Sequence, residues 1–373
     1  MSKIKIFHLI TGLERGGAEI LLTEFLPLLS KDKFEVSVGY LRGKGTLARV
    51  IEAKGIKAYC FGMRSRYDLL VLMKITKFIK KNRFDIIHTH LIDADIFGFF
   101  AARLAGVPVV LSTKHNTDNF RKTKSLAVFL DSLIANLSNR IIAVSNSVRD
   151  FMVKYQKISP SKITVVRNGI DFKKFLSGND KSKIREKLNL NSQAFIVGTV
   201  ARFDEQKGHI YLVEAIPRIL DKINNVYFLF VGEGVLRQQI ENRVKMLNIE
   251  NNVKFFNAID NVSDVLHSLD LFVLPSVWEG FGLVLLEAQA AEVAVIASDI
   301  DGIKEVIEDG ETGILVPPAN SEVLADRIIQ VLSDKNLRNR LSVNGQNSVK
   351  ERFDIKVMTK KIESIYKNLH LKS

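Results

Sequence analysis

The sequence predicts an α/β protein made of two doubly wound parallel sheets. Three observations carry that expectation. Short apolar runs alternate with helix-length segments along the whole chain. A polar stretch, Ser177-Gly178-Asn179-Asp180-Lys181, divides this alternation into two series. The length, 373 residues, is long for one domain and suits two of roughly 150–200 residues.

In chain order, the first series reads as strand Ile4–Ile10, helix Ala18–Leu29 and strand Phe34–Tyr40, then an amphipathic helix over Tyr67–Asn82. Strand Ile86–His88, helix Asp93–Leu104 and strands Val107–Leu111, Ile141–Val144 and Ile163–Val166 follow. The second series has strands Phe195–Val200, Tyr227–Val231, Val253–Phe256, Leu271–Leu274, Val293–Ala297 and Gly313–Val316, with helices Gly208–Leu220 and Ser321–Leu332 among them. Strand–helix alternation of this kind implies parallel sheets covered by helices on both faces. The last segment, Ile355–Leu371, places Ile355, Met358, Ile362, Ile365 and Leu369 at helical spacing. The expected domains are 1–178 and 179–354, with 355–373 a helix that can pack against either half, crossing back to the first or staying on the second.

Hydrophobic residues make up 46% of the chain, enough for two real cores. The single cysteine, Cys60, excludes an internal disulfide and favours a reducing compartment. The first residues enter a strand pattern without a secretory apolar region, and no stretch approaches the ~18–20 apolar residues of a membrane span. The expected location is cytoplasmic. Charge is unevenly divided: residues 1–178 hold 30 Lys+Arg against 14 Asp+Glu, whereas 179–373 hold 24 against 27. A balance of +16 in one half points to an anionic partner, with a peripheral position on an anionic membrane as the expectation. The Tyr67–Asn82 helix fits it, with Leu72, Ile75 and Ile79 on one face, Lys74, Lys77 and Lys81 on the other, and Arg64, Arg66 and Arg83 flanking. Arg121-Lys122-Thr123-Lys124 adds a second basic patch. The plain reading of both is a solvated surface. No helix-turn-helix or RNA-stacking signature accompanies the charge, so nucleic acid is not expected.

The most informative stretch runs from Pro275 to Glu287, where a strand passes through a glycine-containing turn into an apolar, Ala-rich helix. Glu279 and Glu287 bracket that turn in an E-x7-E arrangement. A helix N-terminus holds phosphate through its unsatisfied N–H groups, and carboxylates on either side accept from hydroxyls. Such a cradle suits a nucleotide sugar. Arg202 and Lys207 lie in the loop after strand Phe195–Val200; there they can neutralise a diphosphate in place of a metal ion, or be two surface charges. Gly16 and Gly17 open the first helix in a loop that either approaches phosphate or makes a tight turn. The dinucleotide G-x-G-x-x-G fingerprint is absent, and strand Phe34–Tyr40 ends without the acidic residue a ribose needs, which argues against NAD. His88, His90 and His115 raise a metal site, but no carboxylate or cysteine set completes it, and no metal is expected. His115, just past a strand end, is better placed to bond a polar substrate.

Taken together, these motifs resemble the retaining glycosyltransferases of family 4, over nearly the whole length. The resemblance rests on Gly16-Gly17-Ala18-Glu19, His115, Val144-Ser145, Asn168-Gly169-Ile170-Asp171, Arg202 with Lys207-Gly208, Gly232-Glu233-Gly234 and the E-x7-E turn. It implies the GT-B fold, two doubly wound domains facing a central cleft, with acceptor bound by the first and nucleotide-sugar donor by the second. Arg202 and Lys207 then hold the donor diphosphate. Glu279 accepts from the sugar hydroxyls, the backbone of Phe281, Gly282 and Leu283 faces sugar and phosphate, and Glu287 takes the ribose diol. Gly16 and Gly17 approach the diphosphate, and His115 sits near the transferred sugar. The implied donor is a UDP-sugar, with GDP as second choice, and the implied acceptor a glycolipid or polysaccharide precursor; no cofactor is expected. Two other readings stand beside it: a nucleotide-sugar epimerase on the same fold, and a non-catalytic protein that binds membrane or nucleic acid.

Overall fold

A computed structural model describes residues 3–14, 16–117, 126–176, 185–186, 193–257 and 261–372, with backbone only at 126–128. The polar stretch 177–181 and the basic stretch 121–124 lie outside the described residues. The chain divides into two units, Met1–Gly169 together with Ile355–Ser373, and Ile170–Asp354.

The first unit begins β1 (Ile4–Ile10), α1 (Gly17–Phe25), β2 (Phe34–Tyr40), α2 (Ala48–Ala53), β3 (Lys57–Cys60) and α3 (Leu69–Asn82). It continues β4 (Ile86–His90), α4 (Ile92–Ala105), β5 (Val109–Lys114), α5 (Leu126–Leu137), β6 (Arg140–Ala143), α6 (Asn146–Gln156) and β7 (Ile163–Val165). All pairings are parallel, in the order β3-β2-β1-β4-β5-β6-β7. The order reverses between β1 and β4, and a crevice opens at the strand carboxyl ends at such a switch point. Leu9, Ile87 and Val110 from the sheet pack with Ile75, Ile79, Ala101 and Ala102 from α3 and α4.

The second unit repeats the pattern with β8 (Phe195–Val200), α7 (His209–Leu220), β9 (Val226–Val231), α8 (Arg237–Met246) and β10 (Val253–Phe256). Then come α9 (Val262–Ser268), β11 (Leu271–Leu274), α10 (Leu283–Ala290), β12 (Ala294–Ser298), α11 (Asp301–Lys304), β13 (Ile314–Val316), α12 (Ser321–Ser333) and α13 (Lys335–Arg352). Its strands are also parallel, in the order β10-β9-β8-β11-β12-β13, so its switch point lies between β8 and β11.

The unit boundary differs from the expected division at 178. Ile170 bridges to Asp354 and its N–H donates to the carbonyl of Phe353 at 2.9 Å, which ties the segment from 170 onward to the second unit. The final helix α14 (Ile355–His370) belongs to the first unit. There Tyr366 is fully buried against Phe34, and Glu363 accepts from the backbone N–H of Ser30 at 2.7 Å. In α3 the buried stripe is Val71, Ile75 and Ile79; Leu72, expected on that face, is only half-buried.

Candidate active site

In the second unit the site grows from the ends of β8 and β11. Asp204 caps the turn after β8, its side chain accepting from the N–H of Lys207, and this turns the chain sharply enough to aim Lys207 inward. Gly208 follows at φ +61°, and a Cβ there would lie 2.1 Å from the carbonyl oxygen of Pro275. Only glycine lets the Lys207 turn lie against the end of β11. The N–H of Val277 donates to the carbonyl of Gln206 at 2.8 Å, locking the two loops together.

Within that junction the Lys207 ammonium pairs with Glu279, whose second oxygen accepts from Gln206 at 3.1 Å. The Lys207 side chain is 16% exposed and that of Glu279 7%. Burying a charge is costly unless it is paired and hydrogen-bonded, so this pair is held by the fold and not by chance surface proximity. From Glu279 the chain crosses Gly280 and Phe281 to Gly282, at φ +79°, which caps α10. Phe281 is buried edge-on to Phe353, so its ring is taken up in packing. Glu287 sits half-buried on the second turn of α10. Gly302, in α11, brings that helix so close that a Cβ would lie 2.2 Å from the Glu279 carbonyl oxygen. Arg202 is 63% exposed and turned to Asp204 at 3.1 Å. A buried cation–carboxylate pair thus lies just ahead of the N-terminus of α10 at the strand ends, with Arg202 on the loop after β8, residue types that can hold a phosphate.

In the first unit a cavity of about 210 Å³ opens at the ends of β1, β4 and β5, lined by Thr11, Arg42, Arg66, Asp93, Thr113 and His115 among others. The buried carboxylate of Asp93 takes Arg42 at 2.8 Å and Arg66 at 3.1 Å. Behind it, buried Lys114 bridges Asp95 at 2.6 Å and Asp131 at 2.7 Å, and Ser112 also donates to Asp95. This closed ion cluster pins the end of β5, from which His115 projects. Gly16 is the N-cap of α1 and Gly17 its first residue, so the loop they form does enter a helix.

The structure therefore gathers Arg202, Lys207, Glu279, Phe281, Gly282, Leu283 and Glu287 in one unit, and Gly16, Gly17 and His115 in the other. Several residues escaped the sequence reading. Gln206 and Ser276 attend Glu279, and Arg42, Arg66 and Asp93 line the first-unit cavity. Asp93 carried a faint signal: an acidic residue at a helix start just past a strand. His8, in mid-strand, gave none, yet it aligns with His88 across the β1–β4 pair. Among the described residues His8, His88 and His90 form a group with ligand atoms within 4.8 Å of one another, a different set from the His88, His90 and His115 weighed and set aside from the sequence.

Family models match both halves: "Glycosyltransferase Family 4" over residues 15–174 and "Glycosyl transferases group 1" over residues 180–348. The chain is 31% identical over 379 residues to the UDP-Gal:alpha-D-GlcNAc-diphosphoundecaprenol alpha-1,3-galactosyltransferase of Escherichia coli, covering 98% of this chain and 97% of that one. It is 28% identical to the capsular polysaccharide biosynthesis glycosyltransferase CapM of Staphylococcus aureus, covering 98% and 97%. Among solved structures, Anabaena HepE in complex with UDP-glucose superposes with a TM-score of 0.89 at 23% identity, over 98% of this chain and all of that one. The two parallel-sheet units are those of the GT-B fold. The chain belongs to the group 1, family 4 glycosyltransferases.

Proposed function

We propose that the protein transfers a sugar from a UDP-sugar to a hydroxyl of a lipid-linked glycan or polysaccharide precursor, with retained anomeric configuration and no metal ion. The observation that carries this is the buried Lys207–Glu279 pair beside the entrance of α10. In the bound state the Lys207 ammonium and the Arg202 guanidinium lie against the diphosphate, where charge grows as the glycosidic bond breaks. Fixed cations and helix-end amides aimed at that charge are the largest catalytic contribution, and they do the work a metal does elsewhere. Glu279, released from Lys207, accepts from the sugar hydroxyls, and Glu287 from the ribose diol. The acceptor attacks from the face that the diphosphate leaves, and the departing phosphate takes its proton. The choice of UDP and of a lipid-linked acceptor is supported by the galactosyltransferase and HepE relatives.

A thermal-shift panel of nucleotide sugars tests the donor. UDP-sugars are expected to raise Tm, by mass action worth about 2.7 kcal/mol at a hundredfold excess over Kd, and GDP-sugars to have little effect. A preference for GDP-sugars would overturn the UDP assignment. Product release with the donor alone, as an epimer, would favour the epimerase reading. Transfer that persists in EDTA supports metal independence.

The acceptor is met at the cytoplasmic face of an anionic membrane through the start of α3. Tyr67, Leu69, Leu70 and Met73 are exposed there, Tyr67 by 90%, with Arg64, Arg66, Lys74 and Lys77 around them. Exposed apolar residues among cations suit an acidic-lipid surface, each cation adding about 1 kcal/mol close to the membrane. Among the described residues no helix is long and apolar enough to cross a membrane. Co-sedimentation is expected with vesicles rich in anionic lipid and not with neutral ones, and to weaken in a Leu69→Ser, Leu70→Ser variant. Equal binding to both vesicle types would contradict electrostatic docking.

A further inference from the structure

Behind His115 in the first unit runs a continuous hydrogen-bonded chain of buried side chains to which the proposed reaction gives no role. It starts at His115, whose Nε2 lies 3.2 Å from Nδ1 of His90. Nε2 of His90 meets Nδ1 of His8 at 3.0 Å, and Nε2 of His8 lies 3.2 Å from the hydroxyl of Tyr366 on α14. That hydroxyl meets Nδ1 of His88 at 2.7 Å, and Nε2 of His88 reaches Oγ1 of Thr113 at 2.7 Å. All six ring nitrogens of His8, His88 and His90 are thus engaged.

Burial holds the His8 imidazole down at about pKa 3 and keeps His88 and His90 well below the usual histidine range, while raising the Tyr366 phenol well above its own. The three imidazoles and the phenol are therefore neutral near pH 7. A neutral imidazole has one N–H donor and one acceptor nitrogen, and a phenol has one proton to give. Each link needs one donor, and a buried N–H or O–H left without an acceptor is costly. Two arrangements meet both conditions. In one, His8, His88 and His90 all carry the proton on Nε2, and Nε2 of His115 donates to His90. In the other, all three carry it on Nδ1, and Nε2 of His115 accepts. The Tyr366 hydroxyl enforces the agreement: it cannot donate to both His8 and His88, and if both donated to it, its own proton would be stranded.

We propose that Tyr366 is a positioning residue that locks His8, His88 and His90 into one shared tautomer and so sets which way the proton faces at His115. The consequence for catalysis rests on the reading that His115 faces the transferred sugar; the tautomer lock itself does not. A three-histidine zinc site is the rival use of the same rings, and its ligation would displace these hydrogen bonds.

Imidazole nitrogen shifts of ¹⁵N-histidine-labelled, donor-free protein at neutral pH test the lock directly. The expected spectrum of the unaltered protein shows His8, His88 and His90 in the same tautomer; a mixed set overturns the proposal. In Tyr366→Phe, with the shared hydroxyl gone, His8 and His90 are expected on Nδ1 and His88 on Nε2, because each nitrogen that faced the hydroxyl sheds its proton. Agreement that survives in Tyr366→Phe also overturns it. So does an equivalent of zinc in the purified protein. Should that variant fail to fold, the spectrum of the unaltered protein still decides. The readout needs no donor, so a failed lock is distinct from a failed assignment of His115 to the sugar.

Discussion

Lys207→Ala is expected to lower kcat at saturating donor by roughly 10²-fold or more, because one fixed charge on a transition state is often worth about 3 kcal/mol. The expectation follows from where the ammonium sits. It is held in a junction between the β8 and β11 loops, mostly out of water, where charge is poorly screened. The same substitution strands the Glu279 carboxylate, and breaking a buried pair from one side costs about 3–5 kcal/mol of stability. Melting must therefore be measured beside kcat. Lys207→Ala combined with Glu279→Gln relieves the stranded charge, and is expected to recover stability without recovering kcat. An unchanged kcat in a folded Lys207→Ala protein would remove Lys207 from the reaction.

A second large effect is expected from acid. His8 in the first unit and His209 in the second are both held at about pKa 3, chiefly by burial, and at His209 secondarily by the neighbouring Lys207 charge. His209 stacks on Phe203 at 4.4 Å, and among the described residues neither of its ring nitrogens has a hydrogen-bond partner. The unfolded chain protonates these rings near pH 6.5, while the folded protein resists until about pH 3. Stability is therefore intact above pH 6.5 and falls as the pH drops through that window, by about 1.4 kcal/mol per pH unit for each such histidine. His88 and His90 shift in the same direction and steepen the loss in the first unit. Against a typical stability of 5–15 kcal/mol, unfolding is expected well before pH 3. Urea or thermal melts between pH 7 and 4 check this, and His209→Phe, which keeps the stack, should flatten the slope for the second unit. Stability that does not change down to pH 4.5 would contradict the assigned burial.

Most strands were legible because their apolar runs are unbroken, but their ends were not. The expected strand Ile86–His88 extends to His90, and Val107–Leu111 becomes Val109–Lys114. Polar residues there are buried because of partners that hydropathy cannot reveal: Thr89, Ser112 and Lys114 bond the Asp95–Asp131 cluster, and His90 and Thr113 bond His8 and His88. Edge strand β3 was missed, since Lys57 and Cys60 are exposed and the strand buries too little to leave a pattern. Pro27 cuts the expected Ala18–Leu29 helix, and α1 ends at Phe25, before a short 3-10 turn. The run that carries Glu279 and Glu287 was legible because a strand, a glycine turn and the start of a helix follow one another over seventeen consecutive positions, Leu271 to Glu287. The histidine chain was not, because β1, β4 and α14 bring it together from opposite ends of the sequence.

The proposed transfer requires that the strand ends of β8 and β11 take the donor diphosphate. A crystal structure of the protein soaked with a UDP-sugar tests it most directly. Phosphate oxygens are expected within about 3 Å of Lys207 Nζ and of the backbone amides that open α10, with Glu279 turned to the sugar. Nucleotide bound elsewhere, with Lys207 still closed on Glu279, would contradict it.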